Sequence, residues 1–121
     1  MSSKALDLAP HIGYAAMLER SHPSEALALA GHAEQQGFTG VMVANHFQPW
    51  TAAQGRASAA FDVLSAMGQL TTQDLGTATT PGYRSHPAQT ARSSATLAAM
   101  YPGRHWLGIA LSTWRANTIR P

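Results

Sequence analysis

The sequence predicts an α/β fold with a parallel sheet, in which strands alternate with helices. Short apolar runs alternate along the chain with helical patterns. The strand starts recur about every 30 residues, which is the length of one strand–helix–strand unit. One run, Gly40–Ala44, contains no polar side chain, as expected for a strand that is buried on both faces of a parallel sheet.

The first unit consists of a strand at His11–Ala16 and a helix that begins at Pro23 and ends at Gly37. Proline suits the first turn of a helix, and glycine suits the position after its last turn. The spacing i, i+3, i+4, i+7 predicts the buried face of this helix. That face consists of Ala26, Leu29, Ala30 and Ala33.

The second unit places a helix between the strand Gly40–Ala44 and a third strand at Leu75–Thr79. The same helical spacing predicts the buried face of this second helix. That face consists of Ala60, Val63, Leu64 and Met67.

The third unit contains a helix that Ser85 or His86 can cap, with Pro87 in its first turn. We expect it to end at Pro102-Gly103 and to be followed by a fourth strand at His105–Ala110. A narrow stripe of alanines on this helix is suited to close packing. The stripe consists of Ala88, Ala91, Ala95 and Ala98.

Four strands and three helices are half of an eight-stranded (β/α)8 barrel, which usually takes about 250 residues. The sequence has 121 residues, so length and unit count both predict half a barrel. Charged residues make up only 12% of the chain, which is about half the usual share. We therefore expect the apolar faces of this unit to be covered by further polypeptide.

Composition excludes several classes of protein and site. The chain has no cysteine, which excludes a disulfide framework and a thiolate metal site. It has no apolar run of about 20 residues and no signal-peptide core, so we expect a cytoplasmic protein without a membrane partner. Every charged residue after Asp74 is an arginine: Arg84, Arg92, Arg104, Arg115 and Arg120. These are spread over helix, turns and tail, so we expect no nucleic-acid partner.

Candidate site residues follow the second and third strands, because sites in parallel α/β folds lie beyond the carboxyl ends of the strands. His46 can act as a general base, and Trp50 can form one wall for a flat ligand. The alternative is a histidine bonded to backbone beneath aromatic side chains that only cover the barrel. The segment Thr77–Tyr83 offers hydroxyl groups at the same rim, or is an ordinary polar loop. The remaining histidines lack a shared metal-ligand spacing, so we expect surface or capping histidines and no metal.

The segment Asn45-His46-Phe47-Gln48-Pro49-Trp50 is similar to the Asp-His-Phe-Gln-Pro-Trp motif of the luciferase-like (LLM class) oxidoreductases that use the deazaflavin coenzyme F420. The resemblance is strongest to the F420-dependent glucose-6-phosphate dehydrogenase group and covers roughly residues 11–110. It includes three further segments, Ala33–Phe38, His86–Ala91 and Tyr101–Ile109.

The resemblance implies the N-terminal half of a (β/α)8 barrel with F420 at the carboxyl ends of its strands. The implied chemistry is hydride transfer between a small-molecule alcohol or sugar and the deazaflavin. His46 would take the substrate proton, and Trp50 would stabilise the charge that develops. The implied cofactor-binding residues are Asn45, Thr77, Ala78, Thr79 and Thr80. The resemblance also implies a homodimer through the second and third helices.

Two departures from the family pattern shape the remaining expectations. Asn45 stands where the family usually has aspartate, and no glutamate follows Ile109 in the position of the family's general acid. We therefore expect a partial barrel domain at residues 1–110, a divergent tail at 111–121, and low activity for this chain alone. Two alternatives stay open: an FMN-dependent luciferase-like monooxygenase, and a non-catalytic module that self-associates or binds polyanions.

Overall fold

The computed structural model describes residues 11–46, 51–79 and 85–109 as four strands that alternate with three helices. The strands are β1 (Gly13–Ala16), β2 (Gly40–Ala44), β3 (Asp74–Thr79) and β4 (His105–Ile109). The helices are α1 (Pro23–Gln35), α2 (Ala60–Leu70) and α3 (Pro87–Met100). The predicted tail at 111–121 lies outside the described residues.

The four strands form one sheet in the order β1-β2-β3-β4, and every neighbouring pair is parallel. This is the topology of consecutive β/α units, so the predicted parallel α/β architecture is confirmed. The strand bounds differ from the prediction by two residues at the start of β1 and by one residue at the start of β3.

Helices α1 and α3 begin where the sequence predicts, because proline and a histidine cap act together. In α1 the ring Nδ1 of His22 accepts from the Ser24 backbone N–H, and the Glu25 carboxylate accepts from the His22 N–H. In α3 the ring Nδ1 of His86 accepts from the Ala88 N–H in the same way. Gly37 ends α1 with a φ of 96°, a backbone conformation that side chains with a Cβ rarely adopt.

The core lies between one face of the sheet and the helices. Its buried side chains form one cluster. The cluster includes Val41, Val43 and Leu75 from the sheet and Leu64, Met67 and Leu97 from the helices. All four residues predicted for the buried face of α2 are buried, so that prediction is confirmed.

One predicted helix face needs correction, and the alanine stripe of α3 lies on the outward side of its helix. Leu29 is 46% exposed, whereas Ala26, Ala30 and Ala33 of the same predicted face are buried. On α3 the four stripe alanines are all exposed, and the buried residues are Thr90 and Leu97. Leu97 belongs to the buried core cluster, so α3 turns this side towards the core and the alanines lie on the outward side.

The opposite side of the sheet, which we call the open face, carries alternate residues of each strand. One row of this face runs across all four strands in register: Ala15, Met42, Gly76 and Trp106. The Trp106 indole lies directly over Gly76, where a Cβ would come within 1.9 Å of the ring. Only β1 and β4 are sheet edges within the described ranges. Ile12, just before β1, and Ile109, the last residue of β4, are more than half exposed.

Candidate functional site

A histidine and a carboxylate meet at the carboxyl ends of β1 and β2. Glu19 lies in the turn after β1, and His46 lies two residues beyond the end of β2. The His46 Nδ1 is 2.5 Å from the Glu19 Oε1. The two side chains are 25% and 7% exposed, so this contact is largely withdrawn from solvent.

This contact determines which nitrogen of His46 carries a proton. A carboxylate only accepts hydrogen bonds, so Nδ1 must donate to Glu19. In the neutral ring the other nitrogen, Nε2, then holds the lone pair and is the atom that can accept a proton. A carboxylate that accepts a hydrogen bond from one imidazole nitrogen in this way orients the ring and stabilises its charged form.

Glu19 is also tied to the loop that follows β2. Its backbone carbonyl accepts from the Arg56 N–H at 3.1 Å. Among the described residues, the loops after β1 and β2 are therefore joined by this backbone bond and by the His46–Glu19 pair. We infer that the pair is held in place by the backbone as well as by its own contact.

A cavity of about 200 Å³ lies beside the pair, and we call it the His46 cavity. Its polar lining residues are Glu19, His46 and Gln54, and Gln54 Oε1 accepts from the Thr51 N–H at 3.2 Å. Its apolar lining residues are Ala15, Ala16, Met17, Met42 and Ala44.

A larger cavity, of about 430 Å³, lies at the amino ends of the strands. Gly13, Gly40 and Asp74 line it together with Trp106. Size alone would favour this cavity as the site. Catalytic groups in parallel barrels come from the carboxyl ends of the strands, however, so we assign the candidate site to the His46 cavity.

The other predicted site residues lie in different environments. Asn45 Oδ1 accepts from the Ala60 N–H at 3.3 Å, which links the end of β2 to the start of α2. Thr77 lies on the helix side of the sheet, opposite the open face, and is fully buried there. Its hydroxyl has no hydrogen-bond partner among the described residues. Ala78 lies on the open face. Thr79 is the last residue of β3, and Trp50 and Thr80 lie outside the described residues.

The open face at the carboxyl ends of β2, β3 and β4 carries small residues, as a floor beneath a planar ring such as a deazaflavin would require. Ala44, Ala78 and Gly108 are in register across β2, β3 and β4, and they form a floor of small residues at the carboxyl ends. A Cβ at Gly108 would meet only ordinary van der Waals neighbours, the nearest at 3.6 Å. The three small residues would not themselves obstruct a flat group laid on this part of the sheet.

Sequence reasoning missed Glu19 and Gln54. Glu19 follows a strand predicted to end at Ala16, so its position near a strand terminus was an available signal. The pairing with His46 was not available, because 27 residues separate the two in sequence. Gln54 follows the motif by only four residues, but nothing in its type distinguishes it from an ordinary loop glutamine.

Several other histidines and arginines cap helices, bond to the backbone or lie at the surface. His22 and His86 cap helices as predicted. Arg104 donates to three backbone carbonyls, and Arg92 is exposed on α3. Across residues 11–46, 51–79 and 85–109, no group of three or more possible metal ligands is found. No helix in the same ranges is long and apolar enough to cross a bilayer.

The fold and the site together define a class: a parallel β/α barrel unit with a histidine–carboxylate pair at the carboxyl ends of its first two strands. The family model described as luciferase-like monooxygenase matches residues 7–118. The chain therefore belongs to the luciferase-like monooxygenase family.

Two relatives are both F420-dependent glucose-6-phosphate dehydrogenases. The protein from Mycobacterium avium is 41% identical over 100 residues, which is 81% of this chain and 30% of that protein. The protein from Nakamurella multipartita is 44% identical over 99 residues, which is 80% of this chain and 29% of that protein. The chain thus spans about 30% of the length of these relatives.

A solved structure is similar as well. It is an F420-dependent secondary alcohol dehydrogenase in complex with an F420-acetone adduct, with a TM-score of 0.75 and 37% identity. The match covers 82% of this chain and 31% of that one. The four strands and three helices correspond to the N-terminal part of its TIM barrel, which confirms the predicted fold class.

Proposed function

We propose that this chain forms the N-terminal part of an F420-dependent oxidoreductase that transfers hydride between an alcohol or sugar substrate and the deazaflavin. The observation that carries the proposal is the His46–Glu19 pair at the carboxyl ends of β1 and β2. The F420-dependent relatives, at about 40% identity, support the choice of coenzyme.

His46 is the proposed base. Its Nδ1 donates to Glu19, and its Nε2 takes the hydroxyl proton of the substrate as the carbinol carbon loses hydride. Glu19 is a positioning residue, because it acts through the ring and stabilises the positive charge that His46 gains. When bound, the deazaflavin supplies the hydride acceptor.

The other predicted residues have less direct support. Ala78 would back the ring on the open face, where the floor of small residues lies. Asn45 would act from its bond to the Ala60 N–H, which orients the end of β2. The roles of Trp50, Thr77, Thr79 and Thr80 rest on the family resemblance.

The test is reduction of F420 by simple alcohols and by glucose-6-phosphate, followed by the visible absorbance of the oxidised deazaflavin. His46→Asn is the informative variant, because an asparagine amide can still donate to Glu19 while the base at Nε2 is lost. His32→Asn, at an exposed position on α1, is the matched control. Turnover that survives in His46→Asn at the level of the control would refute the role of His46.

The same preparation tests the coenzyme. Binding of F420 and of FMN is compared by fluorescence quenching, and we expect F420 to bind more tightly. Tighter binding of FMN would replace the proposal by an FMN-dependent monooxygenase of the same family.

We also expect turnover to be low for these residues alone, because strand edges are open at β1 and β4.

The proposal includes a homodimer through α2 and α3. The exposed alanines of α3 support it, because a flat row of small side chains allows close approach of a second helix. Light scattering after size exclusion measures the mass, and we expect Ala95→Arg to dissociate the dimer whereas Ala28→Arg on α1 does not. A cytoplasmic location stays a prediction of the sequence.

A further inference from the structure

We propose that two copies of this chain associate through their sheet edges and close one eight-stranded parallel barrel. In this assembly β4 of each copy pairs in parallel with β1 of the other, and all eight carboxyl ends lie at one mouth. The interface is separate from the proposed contact through α2 and α3, and it depends on neither coenzyme nor substrate. It is carried by the backbone groups at the sheet edges, the composition of the open face and the number of strands.

The outer edge of β4 offers backbone hydrogen-bonding groups to a further strand. The Arg104 carbonyl accepts from the Leu75 N–H at 2.7 Å, so the backbone groups of Arg104 point towards β3. Alternate residues of a parallel strand bond to opposite sides, so those of His105, Leu107 and Ile109 point away from β3. A row of outward N–H and C=O groups is a template for pairing with another chain.

The outer edge of β1 is the counterpart of this row. The Ile12 carbonyl accepts from the Thr39 N–H at 2.9 Å, on the side of β2. By the same alternation, Gly13 and Ala15 direct their N–H and C=O groups outward. The two edges of one sheet are three strand spacings apart, or about 14 Å, so they cannot bond to each other. The edge of β4 can therefore pair only with β1 of another copy.

The open face has the composition of a buried surface. Within the four strands its only charged residue is Asp74, which lies at the amino end of β3, where a barrel opens to solvent. Trp106 is 47% exposed, although its indole already covers Gly76. The interior of an eight-stranded barrel is filled by layers of side chains from its strands. Closure would place Trp106 and Met42 of both copies in that interior and remove their apolar surface from water.

Exposed apolar side chains are concentrated at the same places. Of the seven large apolar side chains that are exposed among the described residues, four lie along the sheet edges or beside the open face. They are Ile12, Met17, Trp106 and Ile109. Apolar surface that is gathered in this way is typical of a contact surface.

The number of strands selects a second copy as the partner. A parallel barrel closes at eight strands, and one copy supplies four. The residues of this chain outside the described ranges form stretches of at most 12 residues, whereas one strand–helix–strand unit takes about 30. A second copy brings four strands of the same direction and twist. Two identical contacts related by a two-fold axis then close the ring and leave no edge.

The association is measured by light scattering after size exclusion in the Ala95→Arg background, which removes the proposed contact through α2 and α3. We expect a mass of twice the 12.8 kDa of one chain. This mass is expected whether or not the unaltered chain also associates through its helices, so the two interfaces are tested separately.

A proline in place of Ala15 tests pairing through the edge of β1. Ala15 is exposed and its N–H points away from β2, so the proline leaves the hydrogen bonds to β2 intact. It removes one donor from the outer edge, and we expect it to raise the dissociation constant by at least about tenfold, the effect of one lost hydrogen bond. Ala15→Ser keeps the N–H and should leave the constant unchanged. Circular dichroism and urea unfolding check that both variants fold.

Cysteine crosslinking tests whether unlike edges meet, and it does not require the proline variant to fold. The chain has no cysteine of its own. In Ile12→Cys/Ile109→Cys each edge carries one thiol, and we expect a short bis-maleimide to join two chains in the Ala95→Arg background. Either single variant should give few covalent dimers. The matched control is Ile12→Cys/Met100→Cys, because Met100 is 47% exposed but lies at the end of α3, in the helix layer.

Each measurement has a result that overturns the closed barrel. A mass of one chain in the Ala95→Arg background refutes association through the edges, and a mass of more than two chains refutes closure. Covalent dimers that are absent from the double variant, or equally abundant in a single variant, refute the pairing of β4 with β1. An Ala15→Pro variant that folds and dissociates no more readily than Ala15→Ser also refutes it. None of these results bears on F420 reduction, which tests the proposed function.

Discussion

The Glu19 carboxylate accepts a hydrogen bond from His46 Nδ1 at a separation of 2.5 Å, although the two residues are 27 positions apart in sequence. Each residue follows a different strand, and the two strands are neighbours in the sheet. Parallel strands deliver their carboxyl ends to one edge, so loop residues from separate units meet there. The pair is thus a product of the topology.

Replacing Glu19 should change the protonated nitrogen of His46. In Glu19→Gln the amide oxygen can still accept from Nδ1, whereas Glu19→Ala removes the acceptor. We expect the 15N shifts of His46 to keep the Nδ1–H tautomer in the first variant and to show a tautomer mixture in the second. We also expect Glu19→Ala to cost about 1–3 kcal/mol of unfolding free energy, because a largely buried donor loses its partner. An unchanged tautomer in Glu19→Ala would contradict the assigned contact.

Replacing Arg104 should destabilise the fold. Its guanidinium donates to the carbonyls of Gly68, Thr71 and Gln73, at the end of α2 and the start of β3, at 2.8–3.2 Å. Arg104→Met keeps much of the side-chain stem and removes all three bonds, so we expect a loss of about 2–4 kcal/mol in urea unfolding. Arg92→Met, on the exposed side of α3, should change stability by less than about 0.5 kcal/mol. Equal losses of unfolding free energy in the two variants would show that the three hydrogen bonds do not stabilise the fold.

Two helical glycines should respond to alanine in opposite directions. A Cβ at Gly68 in α2 would lie 2.3 Å from Cζ of Tyr101, so Gly68→Ala should destabilise by about 1–3 kcal/mol through overpacking. A Cβ at Gly31 in α1 would meet nothing within 4 Å, so Gly31→Ala should stabilise by about 0.5–1 kcal/mol. The midpoints of urea unfolding, at an unchanged dependence of the unfolding free energy on urea, measure both changes in stability. A stable Gly68→Ala variant would argue against the packing of α2 on Tyr101.

Removing the hydroxyl of Tyr14 should stabilise the protein, most of all at alkaline pH. This hydroxyl is buried without a hydrogen-bond partner among the described residues, and burial raises the pKa of Tyr14 above its usual value of 10.0. The folded state therefore holds the proton more strongly than the unfolded state. The resulting stability is complete below pH 10.0 and is lost as the pH rises through the raised pKa.

Tyr14→Phe should therefore gain up to about 1 kcal/mol at neutral pH and lose less stability than the unaltered chain above pH 10. Tyr101→Phe is the matched control, because its hydroxyl donates to the Ser65 carbonyl and accepts from Gln69. That variant should be destabilised by about 1 kcal/mol. A destabilised Tyr14→Phe would show that the hydroxyl has a partner in solution.

Much of the fold was predictable from local signals. Pro23 and Pro87 marked the helix starts, and the apolar run Gly40–Ala44 marked β2 to the residue. These signals are local, because capping and strand patterning depend on residues a few positions apart. The sequence did not predict which side of α3 faces outward. Two sides of this helix carry small residues, and the packing of α3 against β4 and α2 decides which of them is buried.

The sequence by itself determined the strand–helix repeat and the position of His46 at a strand end, because periodicity and strand termini are encoded within single units. Only the tertiary structure decided that Glu19 orients His46, that Thr77 faces the helices, and that Met17 and Met42 line the same cavity. Each of these is a contact or a direction set when separate units pack side by side. Such a choice depends on the register between strands, which no single segment encodes.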